Sequence, residues 1–287
     1  MQTAIRQPHV APFPHPILAA QRESWNTFSR GWEAWDEFTM RFLDRQGAAI
    51  VDALGVAPDA RVLDIAAGTG EPGLTLARLA SRGSVTALDA SAGMLRIAAA
   101  KAEARGLSNF DTLEGDACAL PFADASFDAV SCRLGFMFFP DMQAAAREMA
   151  RVLRPGGVLA ATVWAGPEHN PWITTLVGAI KRYTEFPAPP PGAPGMFRCA
   201  APELFADLFA EAGMEVDAPT LVADPMRCDS AEEYWAFMND VVAPVVATLR
   251  KLEPSVVAQI KTDVLAAFEQ RPDHQLGAGA YCLVARK

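Results

Sequence analysis

Val62-Leu63-Asp64-Ile65-Ala66-Ala67-Gly68-Thr69-Gly70-Glu71-Pro72-Gly73 is a short apolar run that breaks into a glycine-rich turn. A run of this length bounded by turn residues reads as a buried strand, and the helical spacing after it as a helix beginning near Gly70. Glycines at such a bend let a ligand approach the backbone and meet free N–H groups at the helix N-terminus. Gly68, Gly70 and Gly73 satisfy G-x-G-x-x-G, which alone is a weak signal.

Working outward, short apolar runs alternate with helical patterns. Strands are predicted at Val62 to Ile65, Ser84 to Asp89, Phe110 to Glu114, Phe127 to Cys132 and Gly157 to Trp164. Helices are predicted at Gly70 to Leu79, Ala92 to Ala104 and Met142 to Leu153. Strands separated by helices of this length mean βαβ units, right-handed crossovers and a parallel sheet. The fold class is therefore α/β, doubly wound.

The rhythm changes on both sides. Upstream, a helical pattern from Arg22 to Leu43 carries Trp25, Phe28, Trp32, Trp35, Phe38 and Phe42 at spacings of three or four, and a second helix spans Gly47 to Leu54. Such a stripe docks on a core, covers an apolar ligand, or does both. Downstream come a helix at Ile173 to Tyr183, a proline-rich stretch from Pro187 to Pro194, a helix at Ala201 to Ala212 and a strand at Glu215 to Val222. Helices within Ser230 to Gln270 are broken by Pro244 and Pro254, and Ala278 to Ala285 is a last strand. The chain divides into an N-terminal arm and helical lid (1–57), a cofactor-binding core (58–164) and a region completing the sheet (165–287), with cap insertions at about 165–200 and 226–275.

Composition narrows the function. With 25 Lys and Arg against 34 Asp and Glu, the net charge of −9 argues against nucleic acid as partner, because that affinity comes mainly from neutralising phosphates. Cys118, Cys132, Cys199, Cys228 and Cys282 are odd in number and lack any C-x-x-C pair. That speaks against a disulfide framework or metal site and for a reducing, cytoplasmic setting. No apolar run is long enough for a membrane span. An assembly of like chains is left open.

The chemistry concentrates at the strand ends. Asp89 closes the second predicted strand, where a carboxylate accepts hydrogen bonds from a ribose diol. With the glycine turn it places an adenosine-containing cofactor across the carboxyl ends of the first two strands. Asp64 stands inside the first strand, four residues before Gly68. A carboxylate there answers an ammonium group, whereas it would repel a pyrophosphate. Gly115-Asp116-Ala117 follows the third strand, with Asp116 placed to accept an adenine amino group and the Ala117 backbone to donate to the ring.

Taken in order, Asp64 to Gly73, Asp89-Ala90-Ser91-Ala92-Gly93-Met94, Gly115-Asp116-Ala117, Phe127-Asp128-Ala129-Val130 and Leu153-Arg154-Pro155-Gly156-Gly157 resemble the class I S-adenosylmethionine-dependent methyltransferases. The chain is most similar to the branch that includes the ubiquinone and menaquinone biosynthesis methyltransferases. The resemblance covers about residues 60–164. It implies a seven-stranded, mostly parallel, Rossmann-like sheet and S-adenosyl-L-methionine as cofactor. It further implies that Asp64 and the backbone around Ala66 and Gly68 hold the methionine end, with Gly70 and Ala90 in the flanking turns. Asp89 would take the ribose, Met94 would pack on the adenine, and Asp116 and Ala117 would read its edge. Cys132 and Arg133 would face the sulfonium side. Ala66 departs from the pattern, standing where many relatives carry glycine.

The expected acceptor is a small apolar or aromatic molecule. Leu134 to Phe139, the N-terminal aromatic stripe, and Tyr234, Trp235, Phe237 and Met238 would converge on one edge. His169, in the loop after the fifth strand, is the best-placed general base by topology, beside the plainer reading of an ordinary loop histidine. Two other classes stand against methyl transfer. A nicotinamide-dependent oxidoreductase explains the glycines and Asp89 but neither Asp64 nor Gly115-Asp116-Ala117. A non-catalytic S-adenosylmethionine-binding protein would share the site without turnover.

Overall fold

The computed structural model describes residues 16–186, 190, 192–271 and 273–287. Most of the N-terminal arm and much of the proline-rich stretch lie outside the described residues. In chain order the elements are α1 (Pro16–Ala34), α2 (Asp36–Phe42), α3 (Asp44–Leu54), β1 (Arg61–Ile65), α4 (Gly73–Leu79), β2 (Ser84–Asp89), α5 (Ala92–Ala104), β3 (Phe110–Glu114), β4 (Phe127–Arg133), α6 (Met142–Val152) and β5 (Leu153–Trp164). They continue with α7 (Pro171–Ile180), α8 (Pro202–Glu211), β6 (Glu215–Val216), β7 (Thr220–Ala223), β8 (Met226–Arg227), α9 (Ala231–Val241), α10 (Ala243–Leu249), α11 (Pro254–Glu269), β9 (Gln275–Leu276) and β10 (Gly279–Arg286).

The main sheet has the order β3-β2-β1-β4-β5-β10-β6, with β7 also on β10. β1 to β5 pair in parallel, while β10 runs antiparallel to β5, β6 and β7. Connections run outward in opposite directions from β1 and β4, so a crevice opens at the carboxyl ends of that pair, where doubly wound sheets bind ligands. Side chains alternate between two cores, as period-two strands require. Val62, Ala129 and Ala160 pack on Ile50, Leu54, Leu74 and Ala98 from α3, α4 and α5. Leu63, Val130 and Leu159 face Ala145 and Met149 of α6 and Phe205 and Phe209 of α8. Burial on both faces explains why these strands read as continuous apolar runs.

The departures from the sequence reading have local causes. The helix expected from Gly70 begins at Gly73, because Gly68 (φ +54°) and Gly70 (φ +110°) are held in backbone conformations outside the right-handed helix. The long N-terminal helix starts at Pro16 and is broken at Trp35, which leaves helical geometry (φ −101°, ψ 19°) and re-aims α2. The strand expected over Glu215 to Val222 is split into β6 and β7, since Pro219 between them has no N–H for the ladder. β5 begins at Leu153: Gly156 N–H donates to the Lys287 carbonyl (2.7 Å) and Lys287 N–H returns to Gly157 (3.1 Å).

β8 and β9, two residues each, were invisible to a periodicity argument. They pair antiparallel and bracket α9 to α11. Inside that bracket Tyr234 stacks on Phe268 (5.3 Å between ring centroids), and its hydroxyl donates to the Trp172 carbonyl (2.7 Å). This ties the α9–α11 helices to α7. Among the described residues no helix is long and apolar enough to cross a membrane.

Candidate active site

β1 delivers the chain to the crevice through a left-handed turn at Ala66 (φ +54°), followed by Gly68 and Gly70. The backbone at position 66 explains why a glycine suits it: an alanine there holds a conformation costing about 1–2 kcal/mol. The Ala66 methyl is accommodated because Gly135 stands opposite, where any side chain would run into it. One strand turn below, Asp64 is fully buried. The Ser131 hydroxyl donates to Oδ1 (2.6 Å) and the Gly73 N–H donates to Oδ2 (3.0 Å). A side chain on Gly73 would land on that carboxylate, so close backbone approach requires the glycine here. Burial pushes the Asp64 carboxyl up to about 7, against the pull of the Ser131 hydrogen bond and the Arg133 charge. Asp64 thus fastens the glycine loop to β4.

Asp89 stands at the end of β2, and its carboxylate receives Gly68 N–H on Oδ2 (2.9 Å) and Ser91 N–H on Oδ1 (2.8 Å). Burial raises its pKa, with both backbone donors opposing. The Asp89 carbonyl accepts Gly115 N–H (3.0 Å), which draws the Gly115-Asp116-Ala117 turn alongside Asp89 and Ala90. Asp116 accepts the Cys118 N–H (2.8 Å), while Ala117 and Met94 are buried. Gly68, Asp89, Ala90, Met94 and the Asp116 turn therefore line the carboxyl ends of β1, β2 and β3.

Several residues of this site were not singled out by the sequence reading. Asn26 of α1 accepts both the Ser91 hydroxyl (2.7 Å) and the Gly93 N–H (2.9 Å), lying across the start of α5. Asp36 at the start of α2 accepts from Thr69 of the glycine loop (3.3 Å) and pairs with Lys101 (2.7 Å). On the other side, Trp35 Nε1 donates to Asp240 of α9 (2.8 Å), and Trp35 and Phe38 pack on Phe237. The N-terminal helices thus bridge the glycine loop to α9. The aromatic stripe divides at Trp35: Trp25 contacts Phe138 after β4, while Phe42 packs against Trp164 and Trp172. Asn26→Ala is expected to loosen α1, costing about 1–2 kcal/mol as two donors lose their acceptor. Hydrogen exchange should show α1 amides exchanging faster, with β1 and β4 unchanged.

Cys132 is fully buried at the end of β4, its thiol pKa pushed up by burial. Arg133 turns back under α3, with Nη1 3.5 Å from the Leu43 carbonyl. His169 lies apart. It sits in a short helical turn with its side chain 39% exposed, Nε2 3.7 Å from Glu168, and packs beside Gly279 of β10. Among the described contacts none joins His169 to the glycine loop. Its neighbour Asn170 is fully buried and bonds Ala165, Gly166, Gly279 and Trp172. An open cleft of about 670 Å³ beside α2 holds charges of both signs, among them Asp36, Arg41, Arg105 and Asp224.

The methyltransferase domain family matches residues 62–157. An uncharacterized protein of Mycobacterium tuberculosis is 31% identical over 223 residues, covering 76% of this chain and 77% of that protein. The demethylmenaquinone methyltransferase of Thermus thermophilus is 42% identical over 144 residues, 50% of this chain and 54% of that enzyme. Against the curated relatives matched at 38 to 42% identity, the chain spans 42 to 59% of their length. Among solved structures, a putative methyltransferase from Bacillus halodurans superposes with a TM-score of 0.57 at 21% identity, covering 84% of this chain and 98% of that one, a likeness of fold. With the glycine loop and the strand order in place, residues 62–157 form a methyltransferase domain, and the chain belongs to one family with the mycobacterial protein and is similar to the demethylmenaquinone methyltransferases over about half of its length.

Proposed function

We propose that this protein transfers a methyl group from S-adenosyl-L-methionine to a small apolar or aromatic acceptor held beneath the N-terminal helices. The observation that carries this reading is the Asp89 carboxylate, at the end of β2, bonded to Gly68 N–H in the loop that follows β1 and its buried Asp64. Both carboxylates keep lone pairs for further donors. Asp89 would hold the ribose, Asp116 and Ala117 the adenine edge beside Met94, and Asp64 with the Ala66–Gly70 loop the amino-acid end. The cofactor, when bound, supplies a methyl activated on a cationic sulfur.

What remains for the chain is positioning and exclusion of water. Well-oriented reactants gain as much as about 7–11 kcal/mol from alignment, so no side-chain nucleophile is needed. The region up to residue 57 would act as lid over the 58–164 core, and about 226–275 as cap, with Asn26, Asp36 and the Trp35–Asp240 contact closing the crevice. Phe138, Trp25 and Trp32 would wall the acceptor with aromatic surface. His169 would enter as base only for acceptors reaching the outer edge of β5.

Titration calorimetry with S-adenosylhomocysteine and NADH, followed by radiolabelled methyl transfer to a panel of phenols and quinols, tests the reading. Saturable S-adenosylhomocysteine binding and label in an organic-soluble product are expected. Binding of NADH in its place would overturn the reading, and binding without turnover on any acceptor would leave a non-catalytic cofactor-binding protein.

A further inference from the structure

α1 crosses the crevice, and it is fastened differently from one end to the other. Arg22, near its start, pairs with Glu114 at the end of β3 (2.6 Å), and Glu114 stands beside Asp89 in the β2–β3 register. One turn on, Trp25 meets the Phe138 ring beyond β4 (5.6 Å), and Asn26 accepts the Ser91 hydroxyl and the Gly93 N–H at the start of α5. Gly93 permits that approach, because a side chain there would press on Ser29 and Asn26. Residues 22, 25, 26 and 29 share one helical face, so this face lies over the carboxyl ends of β2, β3 and β4. A nucleoside held by Asp89 would lie beneath α1 and would have to pass it on entering and leaving.

The fastenings of α1 are weak in kind. Of its nineteen residues Leu18 and Ser29 alone are buried, and neither belongs to the apolar cores on the two faces of the sheet. The Arg22–Glu114 pair leaves its side chains 41% and 29% exposed, and a second pair, Arg96–Glu33, is longer (3.9 Å) and more exposed. Ion pairs in such positions contribute little and are screened by salt. α2 is held otherwise. Phe38, Thr39 and Phe42 are buried, Phe38 lies on Phe237 (4.5 Å), and Phe42 packs against Trp164 and Trp172. Between the two helices Trp35 leaves helical geometry with no side chain capping the break, and its indole is pinned by Asp240 and Phe237. A helix with few buried residues, joined through a pinned break to one with many, opens before its neighbour does.

We infer that α1 is the gate through which the cofactor enters and leaves, swinging about Trp35 while α2 stays in place. This rests on the methyltransferase reading and adds to it the route to the cofactor site. Element-terminal residues such as Trp35 are where hinged segments absorb their change in backbone angles. The free end of the gate is the Arg22 end, over the ribose, and the hinge end lies against α9.

The test separates a gate from a residue that touches the ligand. Association and dissociation of S-adenosylhomocysteine are followed by stopped flow on wild type, Arg22→Met, Arg22→Lys and Asn26→Ala. A loosened gate speeds entry and exit together, so Arg22→Met and Asn26→Ala are expected to raise both rate constants about threefold or more with Kd within about twofold. Arg22→Lys, which keeps the charge, should stay near wild type. Raising salt from about 0.05 to about 0.5 M should speed wild type in both directions and Arg22→Met less, because the ligand carries no net charge near neutral pH. Hydrogen exchange without nucleoside should show residues 16–34 exchanging faster in Arg22→Met, with α2 and α9 unchanged. A rise in the dissociation rate alone, unchanged rates in both Arg22→Met and Asn26→Ala, or equal loosening of α2 overturns the gate. A wild type that binds no S-adenosylhomocysteine removes the methyltransferase reading itself, and the cofactor gate with it.

Discussion

In the Asp64→Asn variant, S-adenosylhomocysteine binding is expected to lose its pH dependence and to be weaker at every pH above neutral. The ligand-free Asp64 carboxyl titrates near 7 because it is fully buried. An ammonium requires the charged form, so below pH 7 the wild type must give up a proton on binding, and affinity falls as much as about tenfold per pH unit. Above 7 the affinity levels. The amide neither titrates nor carries charge, so the variant's profile is flat, and at pH 8 it binds more weakly by about 1.5–3 kcal/mol, the value of a charge-assisted hydrogen bond. Stability moves in the other direction. A carboxyl whose folded pKa is raised from 3.8 to about 7 stabilises most below 3.8, and that contribution is lost as pH rises through 7. At 1.36 kcal/mol per unit this amounts to about 4 kcal/mol as an upper bound. Urea unfolding at pH 4.5 and 7.5 should therefore show the variant gaining on the wild type as pH rises. Equal pH slopes for binding in the two proteins would remove the ammonium from Asp64.

Asp64 was legible because its surroundings in sequence are informative: a carboxylate inside an apolar strand, four residues before a glycine turn. The partners that set its chemistry were not. Ser131 lies 67 residues away and Arg133 two further, and only the parallel pairing of β1 with β4 brings them to one face. The same holds for Asn26, 65 residues from Ser91, and for Trp35, 205 residues from Asp240. Periodicity finds which face of an element is apolar but does not say which distant residue will meet a polar atom on it. Gln46 shows the limit plainly. It occupies the buried stripe with Ile50 and Leu54, where pattern reading expects another apolar residue, and only the structure shows its amide without a partner among the described residues. His169, which topology places in the loop after the fifth strand, lies beside Gly279 of β10, and among the described contacts none joins it to the glycine loop.

Asp89→Ala should behave differently from Asp64→Asn. The Asp89 carboxylate already holds two backbone N–H groups, Gly68 in the glycine loop and Ser91 at the start of α5. Removing it leaves both donors unmatched and frees the loop it braces, costing about 1–3 kcal/mol of stability. If Asp89 also takes the ribose diol, binding loses a further charge-assisted contact, about 1.5–3 kcal/mol or roughly 10- to 150-fold. 5′-Methylthioadenosine, which keeps the nucleoside but lacks the amino-acid end, retains the ribose, so its affinity should fall in step with that of S-adenosylhomocysteine, whereas the Asp64 variant should spare it. Asp89→Asn keeps one acceptor oxygen and should recover part of the stability but little of the affinity, because the amide can no longer offer two anionic oxygens. Calorimetry on the two nucleosides with each variant separates the ribose end of the crevice from the amino-acid end. A loss confined to S-adenosylhomocysteine in Asp89→Ala would place Asp89 at the wrong end of the cofactor and reverse the orientation argued from β1 and β2.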